Sequence, residues 1–380
     1  MRSDSVRRAG GIVLIWLVYV VAIEAIARAV HRDSAMFAEN GPLHGFLADL
    51  SPAPPLARWD SVWFYHIAEQ GYHGRAPASR HAPGFLPLYP LAMRATTACL
   101  GGELFTAGLW VSRLSLLAAM FLLSAHARHA ETNDAGWPAI FALLAFPSAF
   151  VLVSVYSESL FLATALASFV LAERKRYWPA ALAAFLAGLT RIHAVALVPA
   201  LFALGWTQWR RDRSLSAFAP AAGGMGAWLL LCSYFAAQFD DPWRYFTAKR
   251  EHWRIGLSSP WTTIDNALQR IDNALAQADL GSLTVLLELP CLYLLALASA
   301  VLAVERRWHA SAYVALGAAL TLFSGSTWGL PRFALLLFPT FILIARLHRR
   351  PAAWYVYLLV GSLLQACALV NYVNFRSPAP

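Results

Sequence analysis

The sequence predicts an all-α polytopic membrane protein, and three properties of the 380-residue chain support that prediction. Apolar residues make up 59 % of the chain and charged residues 13 %, about half the charged share of a soluble globular protein. The mean hydropathy is +0.51. Aromatic residues are abundant, with 15 Trp, 13 Tyr and 22 Phe, and Trp and Tyr favour membrane interfaces. A soluble enzyme, a disordered protein and a disulfide scaffold are therefore excluded.

Long apolar runs divide the chain into predicted membrane spans. The first run, residues 11–30, follows basic residues as a signal peptide would, but the many later runs favour a retained first helix. Those later runs lie near residues 105–127, 136–153, 157–172, 178–190, 193–209, 217–238, 282–304, 309–324, 332–347 and 352–372. We expect about eleven transmembrane helices in a single domain, residues 1–380. Several runs are shorter than the ~20 residues of a simple crossing, which is typical of spans around buried loops or cavities.

The net charge of +9 is explained by membrane topology and not by nucleic-acid binding, because the bases lie in short clusters between apolar runs. With the N-terminus inside, Arg191 and Arg332 are the only basic residues in the short outer turns. The inner segments then hold most other bases: Arg2, Arg7, Arg8, Arg128, Arg174, Lys175, Arg176, Arg210, Arg211, Arg213, Arg306, Arg307, Arg346, Arg349 and Arg350. Two long segments, 31–104 and 239–281, become outer loops. This lopsided layout favours an enzyme at the outer membrane surface over a transporter with two matching halves.

No metal or redox motif is visible. The four cysteines, Cys99, Cys232, Cys291 and Cys367, are isolated in the chain, and a buried thiol behaves as a small hydrophobe. The chain has no H-E-x-x-H, Walker A or G-x-S-x-G motif and no cysteine–histidine metal set. We therefore expect neither a metal nor a cofactor.

The first outer loop contains R-W-D-S-V-W-F-Y-H-I-A-E-Q-G-Y at residues 58–72. Residues 61–70 are predicted to form a short helix that ends at Gly71. Helical spacing places Asp60 on one face with Trp63, Phe64 and Ile67. An acid among aromatic residues at the membrane surface can be desolvated and lie close to a sugar. The alternative, which is compatible with the first, is that Asp60 caps the helix by accepting backbone N–H bonds.

A proline-rich segment, H-A-P-G-F-L-P-L-Y-P, follows at residues 81–90. Three prolines within eight residues disfavour a regular helix there. The segment therefore predicts a rigid aromatic turn that enters the interface, with a plain surface loop as the alternative.

Three charged residues lie at the predicted outer ends of spans. Glu158, in V-Y-S-E-S at 155–159, is expected in a first helical turn, where it can line a site or simply satisfy the helix dipole. Arg191, in T-R-I-H at 190–193, can neutralise a lipid phosphate or pair with Glu158. Arg332 can bind phosphate or extend to the interface.

Two further segments carry charge. Glu24 and Arg28 lie inside the first span and are spaced for an i,i+4 ion pair. The second outer loop mixes charged and aromatic residues, among them Lys249 and Trp253. This mixture predicts an amphipathic interfacial helix that could also contact an acceptor.

Three of these motifs together resemble a known family. R-W-D-S-V-W-F-Y-H-I-A-E-Q-G-Y, then F-L-P-L-Y-P, then V-Y-S-E-S-L-F are similar to the second mannosyltransferase of GPI-anchor assembly (PIG-V type) and its prokaryotic relatives. That family belongs to the GT-C superfamily of multi-span glycosyltransferases, which use polyprenyl-phosphate sugars and carry a catalytic acid in the first outer loop.

The resemblance implies a GT-C-like fold and a set of site residues. It implies Asp60 as the catalytic acid and, by position, a site role for Glu158 and phosphate or sugar binding by Arg191. We also expect Arg332, His66 and Tyr89 to bind substrate. One departure concerns Arg191-Ile192-His193-Ala194, where the family often has Arg-x-Asn-Gly, so His193 and Ala194 inherit no role. The short chain favours a prokaryotic cytoplasmic membrane over the endoplasmic reticulum.

The expected function is an inverting transfer of a hexose, taken to be mannose, from a polyprenyl-phosphate donor to a hydroxyl of a lipid-linked or glycan acceptor at the outer face. The chemistry needs a base at the acceptor hydroxyl and a cation at the departing phosphate. Two alternatives remain open: a non-catalytic lipid-sugar flippase or transporter, and a structural subunit of a membrane complex. Membrane lipid is a partner in every case, and nucleic acid in none.

Overall fold

A computed structural model describes residues 2–32, 53–73, 80–277 and 283–374. All regular structure within these ranges is helical, as predicted. In chain order the helices are α1 Arg2–Val30, α2 Ser61–Gln70, α3 Leu88–Leu100, α4 Leu104–Ala130, α5 Gly136–Leu144, α6 Glu158–Glu173, α7 Tyr177–Gly188, α8 Ala194–Asp212, α9 Ala219–Phe239, α10 Arg244–Trp253, α11 Pro260–Gln277, α12 Leu283–Leu286, α13 Glu288–Val304, α14 Trp308–Leu322, α15 Leu330–Ala334, α16 Pro339–Ala345 and α17 Pro351–Val373. Parts of both predicted outer loops, 33–52, 74–79 and 278–281, lie outside the described residues.

The apolar runs predicted as spans are helical, but they differ in length. Within the described ranges, five stretches are long and apolar enough to cross a membrane: Val6–Val30, Leu104–Ala130, Leu215–Phe239, Thr284–Val304 and Pro351–Val373. The other runs form shorter helices. α6 has 16 residues and α7 has 12. α6 begins at Glu158 and ends beside the basic cluster at 174–176.

Two predicted runs are interrupted by proline. Pro147 follows the end of α5, and Pro339 begins α16, because a proline cannot continue a helix that precedes it but fits a first helical turn. The broken end of α5 is satisfied by the Gln365 side chain, whose Nε2 donates to the carbonyl oxygens of Leu144 at 2.9 Å and Phe146 at 2.7 Å. Irregular backbone at membrane depth is tolerated where protein satisfies it in this way.

Small residues allow α7 and α9 to pack closely. A Cβ at Gly188 would lie 2.5 Å from Cβ of Ala227, and a Cβ at Gly223 would overlap the carbonyl oxygen of Ala181. Close approach through glycine and alanine is a common way for membrane helices to associate. The loop that carries Arg191 follows α7 directly.

Charged residues predicted to lie inside contact one another at one end of the bundle. Lys175 Nζ lies 2.6 Å from Asp212 Oδ2, and Glu131 Oε1 lies 2.7 Å from both Arg307 Nη1 and Arg346 Nη2. In α1, Arg28 pairs with Glu24 at 2.8 Å, as the spacing predicts, and Arg113 of α4 pairs with the same carboxylate.

Backbone bonds join the loops at the opposite end. The N–H of Val155 donates to Leu56 at 3.0 Å, Ser61 Oγ donates to Val155 at 3.0 Å, and the N–H of Leu88 donates to Leu189 at 3.0 Å. These bonds bring the start of α2 beside the start of α6 and the loop after α7.

The segment at 81–90 differs in part from its prediction. It forms one turn of 3-10 helix at Ala82–Gly84, and then α3 begins at Leu88 with Pro90 inside its first turn. A proline is tolerated there because the first helical N–H groups have no partner within the helix. The expectation that no regular helix forms in this segment is therefore wrong from Leu88 onward.

Candidate functional site

Asp60 lies at the N-terminal boundary of α2, as predicted, but it does not cap the helix. Its side chain makes no capping hydrogen bond. Instead, Oδ2 of Asp60 accepts a hydrogen bond of 2.8 Å from Arg332 Nη1. The backbone N–H of Asp60 donates to the Tyr156 hydroxyl at 3.3 Å. The capping alternative is thus wrong for this side chain, whose contacts point toward α15 and not along its own helix.

Glu158 is the first residue of α6, and it is completely buried between two guanidinium groups. Its Oε1 lies 3.1 Å from Arg332 Nε, and its Oε2 lies 2.8 Å from Arg191 Nη1. Arg191 Nη1 also donates to Ser157 Oγ at 2.9 Å. Neither oxygen of Glu158 has a hydrogen-bond partner among the described residues, so the charges of the two arginines are what offsets the cost of burying this carboxylate.

Arg332 does not extend to the membrane interface. Its side chain is only 10 % exposed and lies between two carboxylates, those of Asp60 and Glu158. The four side chains therefore form a continuous chain of alternating charge, in the order Asp60, Arg332, Glu158, Arg191. Taken together they carry no net charge.

The charge chain lines one side of a cavity of about 540 Å³. Asp60, Arg191 and Arg332 of the charge chain, together with Lys249, supply the charged part of the lining. The rest is largely apolar, and it extends between α8 and α14 along Val195, Pro199, Leu316, Leu320 and Phe323. One cavity thus combines a charged end with an apolar wall.

Helix α10 forms another wall of this cavity. Tyr245 and Lys249 both line it, because residues four apart share one face of a helix. The segment predicted as an amphipathic helix forms α10, Arg244–Trp253, and sequence reasoning gave it only a general contact with an acceptor, without assigning these two side chains to the site. Their i,i+4 spacing beside aromatic residues is the signal that could have identified them.

Lys249 is a cation of the cavity whose pKa is shifted downward. Burial lowers the pKa of Lys249 from 10.5 to about 8, and Arg191 and Arg332 act in the same direction, while Asp60 partly opposes the shift. A lysine near this value exchanges a proton within the physiological range.

His66 and Tyr89 lie away from the cavity lining in the described part of the chain. His66 is completely buried in α2. The hydroxyl of Tyr89 donates to the carbonyl oxygen of Gly108 at 2.9 Å and lies 2.8 Å from Ser112 Oγ. The Tyr89 ring packs on Phe64, which does line the cavity, with ring centroids 4.9 Å apart. The structure thus places Tyr89 behind the site, where it supports a wall.

His193 was assigned no role from the sequence, yet it lines the cavity and is buried. Its ring lies 4.9 Å from that of Phe333, and its Nδ1 has no hydrogen-bond partner among the described residues. Across the same residues, no group of three or more His, Cys, Asp and Glu side chains is placed to hold a metal ion.

The fold and the cavity define a polytopic membrane protein with a charged site at one end of a helical bundle. The sequence matches no protein-family profile and no curated protein. Its structure is similar to that of ArnT from Cupriavidus metallidurans, solved in complex with undecaprenyl phosphate, with a TM-score of 0.52 and 16 % identity. The alignment covers 95 % of this chain and 64 % of ArnT, so the chain spans about two thirds of the length of that protein. The likeness shows the fold, which is GT-C-like as predicted.

Proposed function

We propose that this protein is a glycosyltransferase that moves a hexose from a polyprenyl-phosphate sugar to an acceptor hydroxyl. The observation that carries the proposal is the position of Asp60, a carboxylate held by Arg332 at the charged end of a cavity with an apolar wall. The GT-C-like fold and the undecaprenyl phosphate bound to ArnT support the same class of donor.

Asp60 is suited to act as the general base. The bond from Arg332 occupies Oδ2, and no hydrogen bond from a described residue uses Oδ1. In the transfer, Oδ1 takes the proton of the acceptor hydroxyl while the acceptor oxygen bonds to the anomeric carbon. The bond from that carbon to the phosphate oxygen breaks, and polyprenyl phosphate leaves. A single displacement of this kind inverts the anomeric configuration.

Arg191 is suited to meet the departing phosphate. Its Nη1 is occupied by Glu158 and Ser157, while Nε and Nη2 have no hydrogen-bond partner among the described residues. A guanidinium group with free donors in a cavity can bind phosphate oxygens through a planar fork. Glu158 would orient Arg191 and balance its charge before the donor arrives.

The apolar wall between α8 and α14 is suited to the polyprenyl chain. Val195, Leu316 and Phe323 line the cavity and remain exposed. A chain of isoprene units would bury this surface and place its phosphate at the charged end.

The choice of mannose rests on the resemblance of the motifs around Asp60, Tyr89 and Glu158 to the PIG-V type. The proposed location of the site is the outer face of a cytoplasmic membrane, and the distribution of basic residues between short loops supports this orientation. A lipid-linked or glycan hydroxyl would serve as the acceptor.

The test is a transfer reaction with the purified protein in nanodiscs. Undecaprenyl-phosphate mannose, glucose and other hexoses are supplied in turn with a membrane-lipid extract, and products are identified by mass spectrometry. We expect a new glycosylated lipid or glycan and release of undecaprenyl phosphate from one donor. If no donor is consumed, the protein is not this enzyme, and sugar movement without bond formation would identify a carrier.

A further inference from the structure

The charges that line the cavity do not balance. Asp60 and Glu158 neutralise Arg191 and Arg332 within the charge chain, at N–O distances of 2.8 to 3.1 Å. Lys249 adds a further positive charge to the same cavity. Among the described residues, no carboxylate lies within ion-pair distance of Lys249 Nζ. The uncompensated charge of the cavity is therefore that of Lys249.

Two aromatic rings position Lys249. Its Nζ lies 4.4 Å from the ring centroid of Phe85 and 4.2 Å from that of Trp253. Rings at this distance attract a cation through their negative faces but supply no hydrogen-bond acceptor. The three donors of the ammonium group are thus left for a partner that the cavity receives.

Gly84 makes room for this arrangement. A Cβ at residue 84 would lie 2.9 Å from Cζ3 of Trp253 and 3.4 Å from Cε of Lys249. The 3-10 turn at Ala82–Gly84 therefore contacts α10 directly, and the rings of Phe85 and Trp253, whose centroids are 5.4 Å apart, lie side by side next to the lysine. The proline-rich turn from the first outer loop and the helix from the second together hold one cation.

We infer that Lys249 binds the phosphate group of a polyprenyl phosphate, as the residue that distinguishes the phosphorylated lipid from the neutral alcohol. This inference rests on the proposed function and names the phosphate-recognition residue within it. A phosphate oxygen accepts hydrogen bonds from an ammonium group and cancels the unbalanced charge, and Arg191, which lines the same cavity, would contact the same phosphate. The lowered pKa of Lys249 agrees with a site in which the negative charge that balances the ammonium group is supplied by the ligand.

The test is a lipid competition in nanodiscs of phosphatidylcholine. Undecaprenyl phosphate and undecaprenol are present in equal amounts, and native mass spectrometry measures which lipid the protein retains. We expect the wild type to favour the phosphate at least tenfold, since a charge-assisted hydrogen bond is worth about tenfold or more in affinity. Lys249→Gln should lose most of this preference, whereas Lys249→Arg should keep it. Arg250→Gln, at the exposed neighbouring position, should match the wild type.

Three results would overturn the inference. The first is a preference in Lys249→Gln within twofold of the wild type. The second is equal retention of the two lipids by the wild type. The third is equal retention of undecaprenyl phosphate and dioleoyl phosphatidate, which would show that any phosphate headgroup suffices. If Lys249→Gln fails to fold, the preference of the wild type for undecaprenyl phosphate over undecaprenol is measured from pH 7 to pH 9 instead. This preference must fall as Lys249 loses its proton, and a constant preference would overturn the inference.

The outcome is separable from that of the transfer reaction. A protein that transfers a sugar while Lys249→Gln keeps its phosphate preference retains the proposed function and loses this inference. A protein that prefers the phosphate through Lys249 but consumes no donor retains this inference and loses the proposed function.

Discussion

Arg332 donates a hydrogen bond of 2.8 Å to Asp60, although 272 residues separate them in the chain. The same guanidinium lies 3.1 Å from Glu158 through Nε. Arg332, in the C-terminal third of the chain, thus fixes the position of the Asp60 carboxylate relative to Glu158 at the start of α6. The geometry of the candidate base is therefore set by tertiary contacts and not by its own helix.

Replacing Asp60 with Asn tests the role of the base. Asn can still accept the bond from Arg332, but it cannot take a proton, so turnover should fall by a factor on the order of 10² to 10⁴ with the fold retained. Turnover and the thermal unfolding midpoint are measured together. Glu69→Gln is the matched control, because Glu69 lies on the exposed side of the same helix and should lose much less activity. Equal turnover in Asp60→Asn and the wild type would remove Asp60 from the mechanism.

Replacing Arg332 with Gln should affect stability and activity together. Glu158 would keep only Arg191 as a partner, and breaking a buried ion pair from one side costs on the order of 3–5 kcal/mol. Asp60 would also lose the bond that orients it. Thermal unfolding in nanodiscs and turnover at saturating donor measure the two effects. Arg349→Gln, on the exposed surface, should change neither. An unfolding midpoint equal to that of the wild type would contradict the buried charge chain.

Replacing Arg191 with Lys keeps the charge but removes the planar fork. Lys can pair with Glu158 or contact phosphate, but it cannot do both from fixed positions, so we expect KM for the donor to rise about tenfold. The kcat value should fall less, because Asp60 is untouched. Initial rates over a range of donor concentrations separate the two constants. Unchanged donor kinetics would show that Arg191 only balances Glu158.

Donor affinity should depend on pH through Lys249. The charged and titratable groups that face Lys249 are Asp60, Arg191, Arg332 and His252, and burial holds the pKa of His252 below its usual value, so that imidazole stays neutral above pH 7. The pKa of Lys249 is about 8. Bound phosphate favours the ammonium form, so affinity is greatest below pH 8 and falls as pH rises through 8. Titrations at pH 7, 8 and 9 with wild type and Lys249→Arg measure this, and the arginine variant should show a flat profile.

The orientation of the bundle can be tested by labelling single cysteines in a cysteine-free background. We expect a cysteine at Glu69 to react with an impermeant maleimide added outside, and a cysteine at Lys175 to react only after permeabilisation. Both side chains are exposed at their own ends of the protein. Labelling of position 175 from outside would reverse the topology.

Local features of the fold were predictable from the sequence because they depend on short-range rules. The helix Ser61–Gln70 ending at Gly71 and the Glu24–Arg28 pair follow from spacing alone. The pairing of Arg332 with both Asp60 and Glu158 could not be predicted, because it depends on how three distant segments pack. The sequence did indicate that buried arginines need partners, and this general rule brought Arg191 and Glu158 together correctly.

Lys249 shows where such reasoning fails. Lys249 is followed by Arg250, Glu251 and Arg254, and this composition is typical of a solvent-exposed helix. Only the contact of α10 with the turn at Ala82–Gly84 places its ammonium group beside two adjacent rings inside a cavity. The prolines of that turn suggested a rigid loop, but they carried no information on which residue the loop would enclose.

The short length of α6 affects how readily water competes with the acceptor hydroxyl for the anomeric carbon of the donor sugar. Sixteen residues rise only about 24 Å, whereas the hydrocarbon layer is about 30 Å thick. With the basic cluster after α6 placed at one boundary, Glu158 would lie roughly 6 Å below the opposite boundary. At that depth the anomeric carbon would react in a cavity with an apolar wall, which limits the access of water. We therefore expect the activated sugar to be lost to hydrolysis only slowly when no acceptor is present.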